Sequence, residues 1–383
     1  MPPQHDVSPP GFSFAPSLFA EDCQTASPAV RLRRLTAADA PAIAAGLGDF
    51  EVARNLGRVP HPYTLADAQD WLDRAEQDRA LLCAGVSVDG ALAGMVSLSP
   101  AGGAVRLGYW LARPWQGRGI GTRAVGAFLD FAFAATRMAA TEALHMVDNP
   151  ASGRLLRRLG FQPCGVTRER SLARRDTVEH VISRLTRADW RARQPAIETA
   201  RLHLRTPTLA DVEETARLPA DRPVGLATAQ TAAMLGQLDE ARVFILRAAR
   251  EPRPASLRLL MRLKETGELV GTIGWRAAEP GVVDLGFWLG VDHRGRGLMT
   301  EAARATIEAA FRWGAADAVR TSCRSTDWAT RQVIIRCGFQ WEGSGLVRPS
   351  AGGPVAADQF RLDRDTFLSF REWAPAAFHL AAG

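Results

Sequence analysis

Two long stretches of this chain repeat one another, and the repetition limits its possible folds more than any other feature. Sliding the sequence by 178 positions lays residues 105–161 on 283–339 without a gap. Val105, Leu107, Gly108, Trp110 and Leu111 fall on Val283, Leu285, Gly286, Trp288 and Leu289. Gly117, Arg118, Gly119 and Thr122 fall on Gly295, Arg296, Gly297 and Thr300, and Gly160-Phe161 falls on Gly338-Phe339. The openings match at a shift of 172, where LRRLTAADA from Leu32 meets LRTPTLADV from Leu204. A repeat of this length is a duplicated domain, not a solenoid unit. The 383 residues also exceed one ordinary core and suit two. The expected organisation is a disordered proline-rich leader (1–28), a first domain (29–190), a linker at 191–197 around Pro195, a second domain (198–375) and a tail (376–383).

Each copy reads in the same order. A strand (Arg31 to Leu35; Leu202 to Arg205) precedes a helix that Thr36 or Thr208 caps, each with an Asp three residues on. A second helix opens at Thr64 in the first copy. Strand runs with turns at Asp89-Gly90 and Thr266-Gly267 read as hairpins. Next come VRLGYWLA or VDLGFWLG, a glycine-rich loop, and a helix whose apolar face is Val125, Phe128, Leu129 and Ala132, or Ala303, Ile307, Ala310 and Phe311. A further strand and a short helix ending at Gly160 or Gly338 follow. The expected class is α/β, an α+β mixed fold of two tandem domains, each with a mostly antiparallel central sheet flanked by helices.

Composition removes several functions. Hydrophobic residues at 46% and charged residues at 23% are ordinary for a soluble globular chain. No apolar run approaches the ~20 residues that a membrane helix needs, and the N-terminus lacks the basic start and apolar core of a secretory signal. Five cysteines without CxxC spacing argue against zinc and disulfides and suit a reducing cytoplasm. The net charge of +6 is spread out, without the dense basic stripe of a nucleic-acid binder. Of the 47 basic residues all but Lys264 are Arg, which suits a polyanionic small molecule.

The loop WQGRGIGTRA, with its twin HRGRGLMTEA, narrows that ligand. A glycine turn between strand and helix aims unpaired amides, reinforced by the helix dipole, at one anion-sized spot. No Lys-Ser/Thr follows the last glycine, as a Walker A loop requires, and Thr122 stands where GxGxxG needs its later glycine. A pyrophosphate outside the kinase and dehydrogenase classes fits.

QGRGIG, from Gln116 to Gly121, resembles the acyl-CoA loop Q/R-x-x-G-x-G/A of the GNAT superfamily of N-acetyltransferases, and RGRGLM, from Arg294, resembles a variant of it. The surrounding LGYWLARPWQGRGIGT, LDFAF and DNPASGRLLRRLGF are similar to the RimJ/RimL ribosomal-protein branch. The resemblance implies that the backbone at Gln116, Gly117, Arg118, Gly119, Ile120, Gly121 and Thr122 grips the CoA pyrophosphate. It implies the same at Arg294, Gly295, Arg296, Gly297, Leu298, Met299 and Thr300. The strand before each loop (Trp110, Leu111, Ala112; Trp288, Leu289, Gly290) is then expected to pair with the pantetheine arm. Acetyl-CoA is the implied cosubstrate, an amine the implied acceptor, and no metal is needed. Expected partners include neither nucleic acid nor membrane, and the expected state is a monomer holding an internal pseudodimer, or a homodimer.

Acyl transfer to an amine needs a neutral amine, a polarised carbonyl and a proton for the leaving thiolate. In the family pattern Asn149 contacts the CoA arm and Ser152 protonates the sulfur; alternatively Asp148, Asn149 and Ser152 cap the following helix. The second copy keeps a hydroxyl at Thr330, but Asp327 replaces Asn149 and Met299 replaces Gly121. Relatives often carry a basic carboxylate where the second copy has Asp284; the first has Arg106, which leaves Glu169, His145 and Tyr109 as candidates. An α-amino group is roughly 10 to 20% neutral at pH 7 and a lysine about one part in 2,500, so a weak base favours an α-amino acceptor. The run RERSLARR from Arg168 is either a solvated basic edge or a guide for an acidic acceptor. The competing reading makes one or both domains non-catalytic CoA-binding or structural modules.

Overall fold

The computed structural model describes residues 23–24, 30–218, 238–251, 253–347, 354–369 and 377–379. Contacts divide the chain into two compact units after Arg193. The leader expected at 1–28 lies outside the described residues, except Cys23–Gln24.

In the first unit, strands β1 (Cys23–Gln24) and β2 (Val30–Arg33) lead to helices α1 (Ala40–Gly48), α2 (Phe50–Ala53) and α3 (Leu65–Gln77). There follow β3 (Leu82–Val88), β4 (Ala91–Ala101), β5 (Ala104–Leu111), α4 (Ile120–Ala135), β6 (Ala140–Met146), α5 (Pro150–Arg158), β7 (Gln162–Ser171), β8 (Asp176–Thr186) and α6 (Arg187–Ala192). The eight strands form one sheet in the order β1-β2-β3-β4-β5-β6-β8-β7. Only β5 and β6 of this sheet run parallel, and α4 is the crossover that joins them.

The second unit repeats the plan. Strands β9 (Ala196–Glu198) and β10 (Leu202–Arg205) precede α7 (Val212–Arg217) and α8 (Leu238–Arg250). Then come β11 (Leu257–Leu263), β12 (Leu269–Glu279), β13 (Val282–Leu289), α9 (Leu298–Arg312), β14 (Ala318–Arg324), α10 (Trp328–Arg336), β15 (Gln340–Val347), β16 (Val355–Asp363), α11 (Arg364–Ser369) and β17 (Ala377–His379). The order is β15-β16-β14-β13-β12-β11-β10-β9-β17, with β13 and β14 the parallel pair. Residues 191–197, expected as a linker, hold the end of α6 and the start of β9. Within the expected tail, Ala377–His379 pairs with β9 and satisfies backbone groups that an edge strand leaves open.

Local signals explain the elements. Asp39 accepts from the Thr36 amide at 2.8 Å and is paired with Arg33 at 2.6 Å. Asp211 repeats both contacts with Thr208 and Arg205. Burial works against the charge of Asp211, but Arg205 and Thr208 outweigh it and hold its pKa below the usual range. The β3–β4 hairpin turns at Asp89 and Gly90 with φ of 47° and 86°, the two positive values of a two-residue turn. On α4 and α9 every residue of the expected apolar faces is at most 2% exposed. Arg187 clamps α4 to β6 through three carbonyls, those of Phe133, Thr136 and Met138, at 2.7–2.9 Å.

Gly94 faces Leu111 at the exit of β5, where a Cβ would sit 2.1 Å from the Trp110 carbonyl. Gly94→Ala is therefore expected to destabilise the protein by about 1–3 kcal/mol in denaturant unfolding. Gly90→Ala, with nothing within 4 Å of its Cβ, is expected to cost only backbone strain, about 1 kcal/mol. Equal losses would contradict this packing.

Candidate active site

Strand β5 leaves the sheet at Leu111, and the Ala112 amide still reaches the Ala93 carbonyl at 2.9 Å. A single tight turn, Arg113–Trp115, follows; Gly117 and Gly119 then take φ of 72° and 73°, and α4 begins at Ile120. The second unit matches this, with Gly290 bonded to Val270 at 2.9 Å and Gly295 and Gly297 both at 75°. Left-handed backbone of this kind is strained for a residue with a Cβ. Among the described residues, no amide from Gly117 to Thr122, or from Gly295 to Thr300, donates to a backbone acceptor. A Cβ on Gly117 or Gly295 would meet nothing within 4 Å, so each cradle is open to an approaching anion. The side chains at the first loop position point elsewhere: Gln116 donates to the Leu111 carbonyl at 2.8 Å and Arg294 to that of Leu289 at 3.2 Å.

Met299 stays clear of its cradle. At Gly121 a Cβ would lie 3.0 Å from Leu155 and 3.4 Å from Leu111. In the second unit Val333 stands where the first has Leu155, and Met299 is buried in the core cluster against which Val333 and Leu289 also pack. Where the first unit sets Gly121 against Leu155, the second has the larger Met299 and the smaller Val333 at the matching positions.

The parallel ladders are short. β5 pairs with β6 only at Arg106 and Leu107, and β13 with β14 only from Val282 to Asp284. Beyond those residues, each strand that carries the expected pantetheine contacts (Trp110–Ala112; Trp288–Gly290) is paired on one side only. An extended amide-bearing ligand finds free backbone groups on the other.

Beside this edge the first unit places two hydroxyls together. Tyr109 on β5 and Ser152 on α5 lie 2.6 Å apart. Burial pushes the Tyr109 phenol up to about 12, against the opposing bond to Ser152, so at neutral pH it carries its proton. In the second unit Phe287 replaces Tyr109, and Thr330 is buried with no such pair. Asn149 accepts the Ser152 amide at 3.2 Å and Asp327 accepts the Thr330 amide at 3.0 Å, so both act as helix caps.

The two candidate carboxylates are both ion-paired. Glu169 is paired with Arg106 at 3.1 Å. Asp284 lies between Arg276 at 3.5 Å and Arg320 at 3.4 Å. His145 sits against α5, filling the space over Gly153, where a Cβ would be 2.7 Å from its Nε2. From the RERSLARR run, Arg174 grips Asp148 at 2.8 and 3.0 Å and the Arg54 carbonyl at 2.7 Å, tying the β7–β8 turn to α2. Neither that clamp nor the Tyr109–Ser152 pair is legible in the sequence, because their members lie far apart along the chain. Among the described residues no group of three or more His, Cys, Asp or Glu could hold a metal ion.

Two tests follow from this packing. Gly121→Met alone is expected to cost about 1–3 kcal/mol by crowding Leu155, and Leu155→Val alone about 1 kcal/mol. The double variant should be more stable than the sum of the two; strict additivity would show that the pair does not share its space. His145 is held below its ordinary 6.5, first by burial and then by the charges of Arg157 and His180. Its neutral form therefore supports the fold above roughly pH 6.5, and that support is lost as the pH falls below this value. His145→Gln should flatten the stability profile between about pH 7 and 5, and an unchanged slope would contradict this.

Comparison with known proteins accords with this geometry. The family description "Acetyltransferase (GNAT) domain" matches the chain twice, at residues 29–162 and 201–340. The ribosomal protein uS5-alanine N-acetyltransferase of Escherichia coli (strain K12) is 33% identical over 84 residues, covering 22% of this chain and 43% of that protein. The ribosomal-protein-serine acetyltransferase of the same organism is 32% identical over 88 residues, 22% of this chain and 49% of the other. The chain thus spans less than half the length of these curated relatives. Among solved structures, Mycobacterium smegmatis RimJ in complex with CoA-disulfide aligns with a TM-score of 0.40 at 19% identity, over 44% of this chain and 88% of that one. With the family description matched twice and over more than half its length, the chain belongs to the GNAT acetyltransferases and carries two of their domains in tandem.

Proposed function

We propose that the protein is an acetyl-CoA-dependent N-acetyltransferase whose first unit transfers the acetyl group directly to a primary amine. One observation carries the assignment of the reacting unit: the hydroxyl pair of Tyr109 and Ser152, 2.6 Å apart, beside the unpaired edge of β5. The open cradle at Gly117–Thr122 fits the CoA pyrophosphate, and the backbone at Trp110–Ala112 would hold the pantetheine arm. When bound, acetyl-CoA supplies the acetyl thioester.

The residues of the first unit then divide the work. Tyr109 donates its proton to the Ser152 oxygen, which leaves the serine hydrogen free to point at the departing sulfur. As the new N–C bond forms and the C–S bond breaks, the amine gives up a proton and the sulfur gains one, here from Ser152. Glu169 takes up the amine proton, directly or through water. Glu169 is already engaged with Arg106, and an acceptor that is partly neutral before it binds, an α-amino group, asks least of it. The acceptor we favour is therefore the N-terminus of a protein or peptide, and the names of the two Escherichia coli relatives support that choice. The exposed Arg168 and Arg170 on β7 would steer an acidic acceptor.

A second reading holds for the second unit, and Phe287 favours it. Without a tyrosine, Thr330 lacks the partner that orients Ser152, and Asp284 is neutralised between Arg276 and Arg320. That unit is proposed to bind CoA without transferring its acetyl group. No helix among the described residues is long and apolar enough to cross a membrane, and Cys83, Cys164, Cys323 and Cys337 are unpaired thiols. The proposed setting is the cytoplasm, with acetyl-CoA and an amine acceptor as the proposed partners.

Purified protein given acetyl-CoA and a panel of peptide N-termini, polyamines, amino acids and aminoglycosides is expected to release free thiol with the peptides. Ser152→Ala should lower kcat about 100-fold, and Tyr109→Phe about tenfold, with a changed pH profile. No release across the panel would contradict the reading, and full activity in Ser152→Ala would remove that residue from the mechanism.

A further inference from the structure

The two loops differ in the charge of the residue that follows them. Arg123 stands in the first turn of α4, and its counterpart on α9 is Glu301. In the first unit Arg123 Nη2 donates to the Arg118 carbonyl at 2.9 Å. The same nitrogen lies 3.6 Å from where a Cβ on Gly119 would be. The guanidinium thus stands directly over the second glycine of the cradle.

A carboxylate at that point of the second unit would face the amides and repel an incoming phosphate. It does not stand alone there. Arg201, in the turn between β9 and β10, donates Nη1 to the Arg296 carbonyl at 2.8 Å, and its Nη2 lies 3.6 Å from the Cβ position of Gly297. Glu301 holds it in place, accepting from Arg201 Nε at 2.7 Å, from the Arg201 amide at 2.8 Å and from the Thr199 hydroxyl at 2.6 Å. Arg123 and Arg201 therefore reach equivalent carbonyls and equivalent glycines from unrelated places in the chain. At the 172-residue shift that aligns the two openings, the position matching Arg201 is Ala29.

We propose that Arg123 and Arg201 are functional counterparts, each fixing a guanidinium that binds the anion held on its loop, so that the second unit keeps a working phosphate site whose cation comes from the β9–β10 turn. This rests on the CoA reading of the loops. The glycines alone set the turn, since each takes its left-handed φ by itself. What the guanidinium adds is a positive charge and N–H donors in a planar fork suited to phosphate oxygens. Glu301 contributes by positioning Arg201 and by cancelling its own charge against it. The Arg201–Glu301 pair carries less net charge than Arg123 alone, so the second loop is the weaker of the two sites.

Calorimetric titration of the full chain with CoA tests this. Two sites are expected. Arg201→Gln should weaken one of them about tenfold, the size of one charge-assisted hydrogen bond, and Arg123→Gln should weaken the other. Adding Glu301→Arg to Arg201→Gln rebuilds the arrangement of the first unit and should restore the lost affinity to within about twofold. Because Glu301→Arg would also renew the contact to the Arg296 carbonyl, the salt dependence of CoA binding is read alongside: Arg201→Gln should lower it at that site and Glu301→Arg should restore it, whereas affinity lost with the salt dependence unchanged, or a rescue that fails, overturns the proposal. Two sites that ignore Arg201→Gln, or one site that ignores it, would overturn the proposal while leaving the CoA reading of the first unit standing. No CoA bound at all would overturn both.

Discussion

The structure of each unit turns on one backbone feature, a pair of left-handed glycines between a strand and a helix. Gly117 and Gly119, and again Gly295 and Gly297, rotate successive amides outward and leave them without acceptors. The orientation of α4 and α9 follows from that turn, and each helix then buries its apolar face against the sheet. The same exit takes β5 and β13 away from their parallel neighbours after two or three paired residues, which opens the strand edge beside the cradle. Anion site and open edge thus share one origin.

The frame has tolerated change in two ways. Some substitutions are accompanied by another: Met299 comes with the smaller Val333, and Glu301 comes with Arg201, which it holds at the loop. Others are unmatched and fall on the chemistry. Phe287 stands where Tyr109 makes its hydroxyl pair with Ser152, and among the described residues no hydrogen bond to the Thr330 hydroxyl replaces it. The contrast separates what a CoA-binding loop needs from what a transferring site needs. On the proposed reading the former is rebuilt in the second unit and the latter is not.

Much of this was legible in the sequence, because the duplication supplied its own comparison. The order of strands and helices, the Thr36 and Thr208 caps and the buried helix faces follow from local pattern and period, and the structure has them in place. The family matched by both halves is the one the glycine loops resembled. Contacts across long separations could not be read. Met299 stood out as a lost glycine, but its harmless direction depends on Val333 on another helix. The exchange of Arg123 for Glu301 was passed over, and Arg201, 100 residues from Glu301, belongs to no motif. Asp284 occupied the position expected of a base, yet two arginines on neighbouring strands claim its carboxylate.

The central claim is that the first loop serves transfer while the second only binds. Introducing Gly119→Glu and Gly297→Glu separately places an anion in one cradle at a time, and thiol release from acetyl-CoA with a peptide acceptor reports which cradle turns over. The account predicts that Gly119→Glu abolishes release and that Gly297→Glu takes away one bound CoA while transfer continues. Release that survives Gly119→Glu and disappears with Gly297→Glu would contradict it.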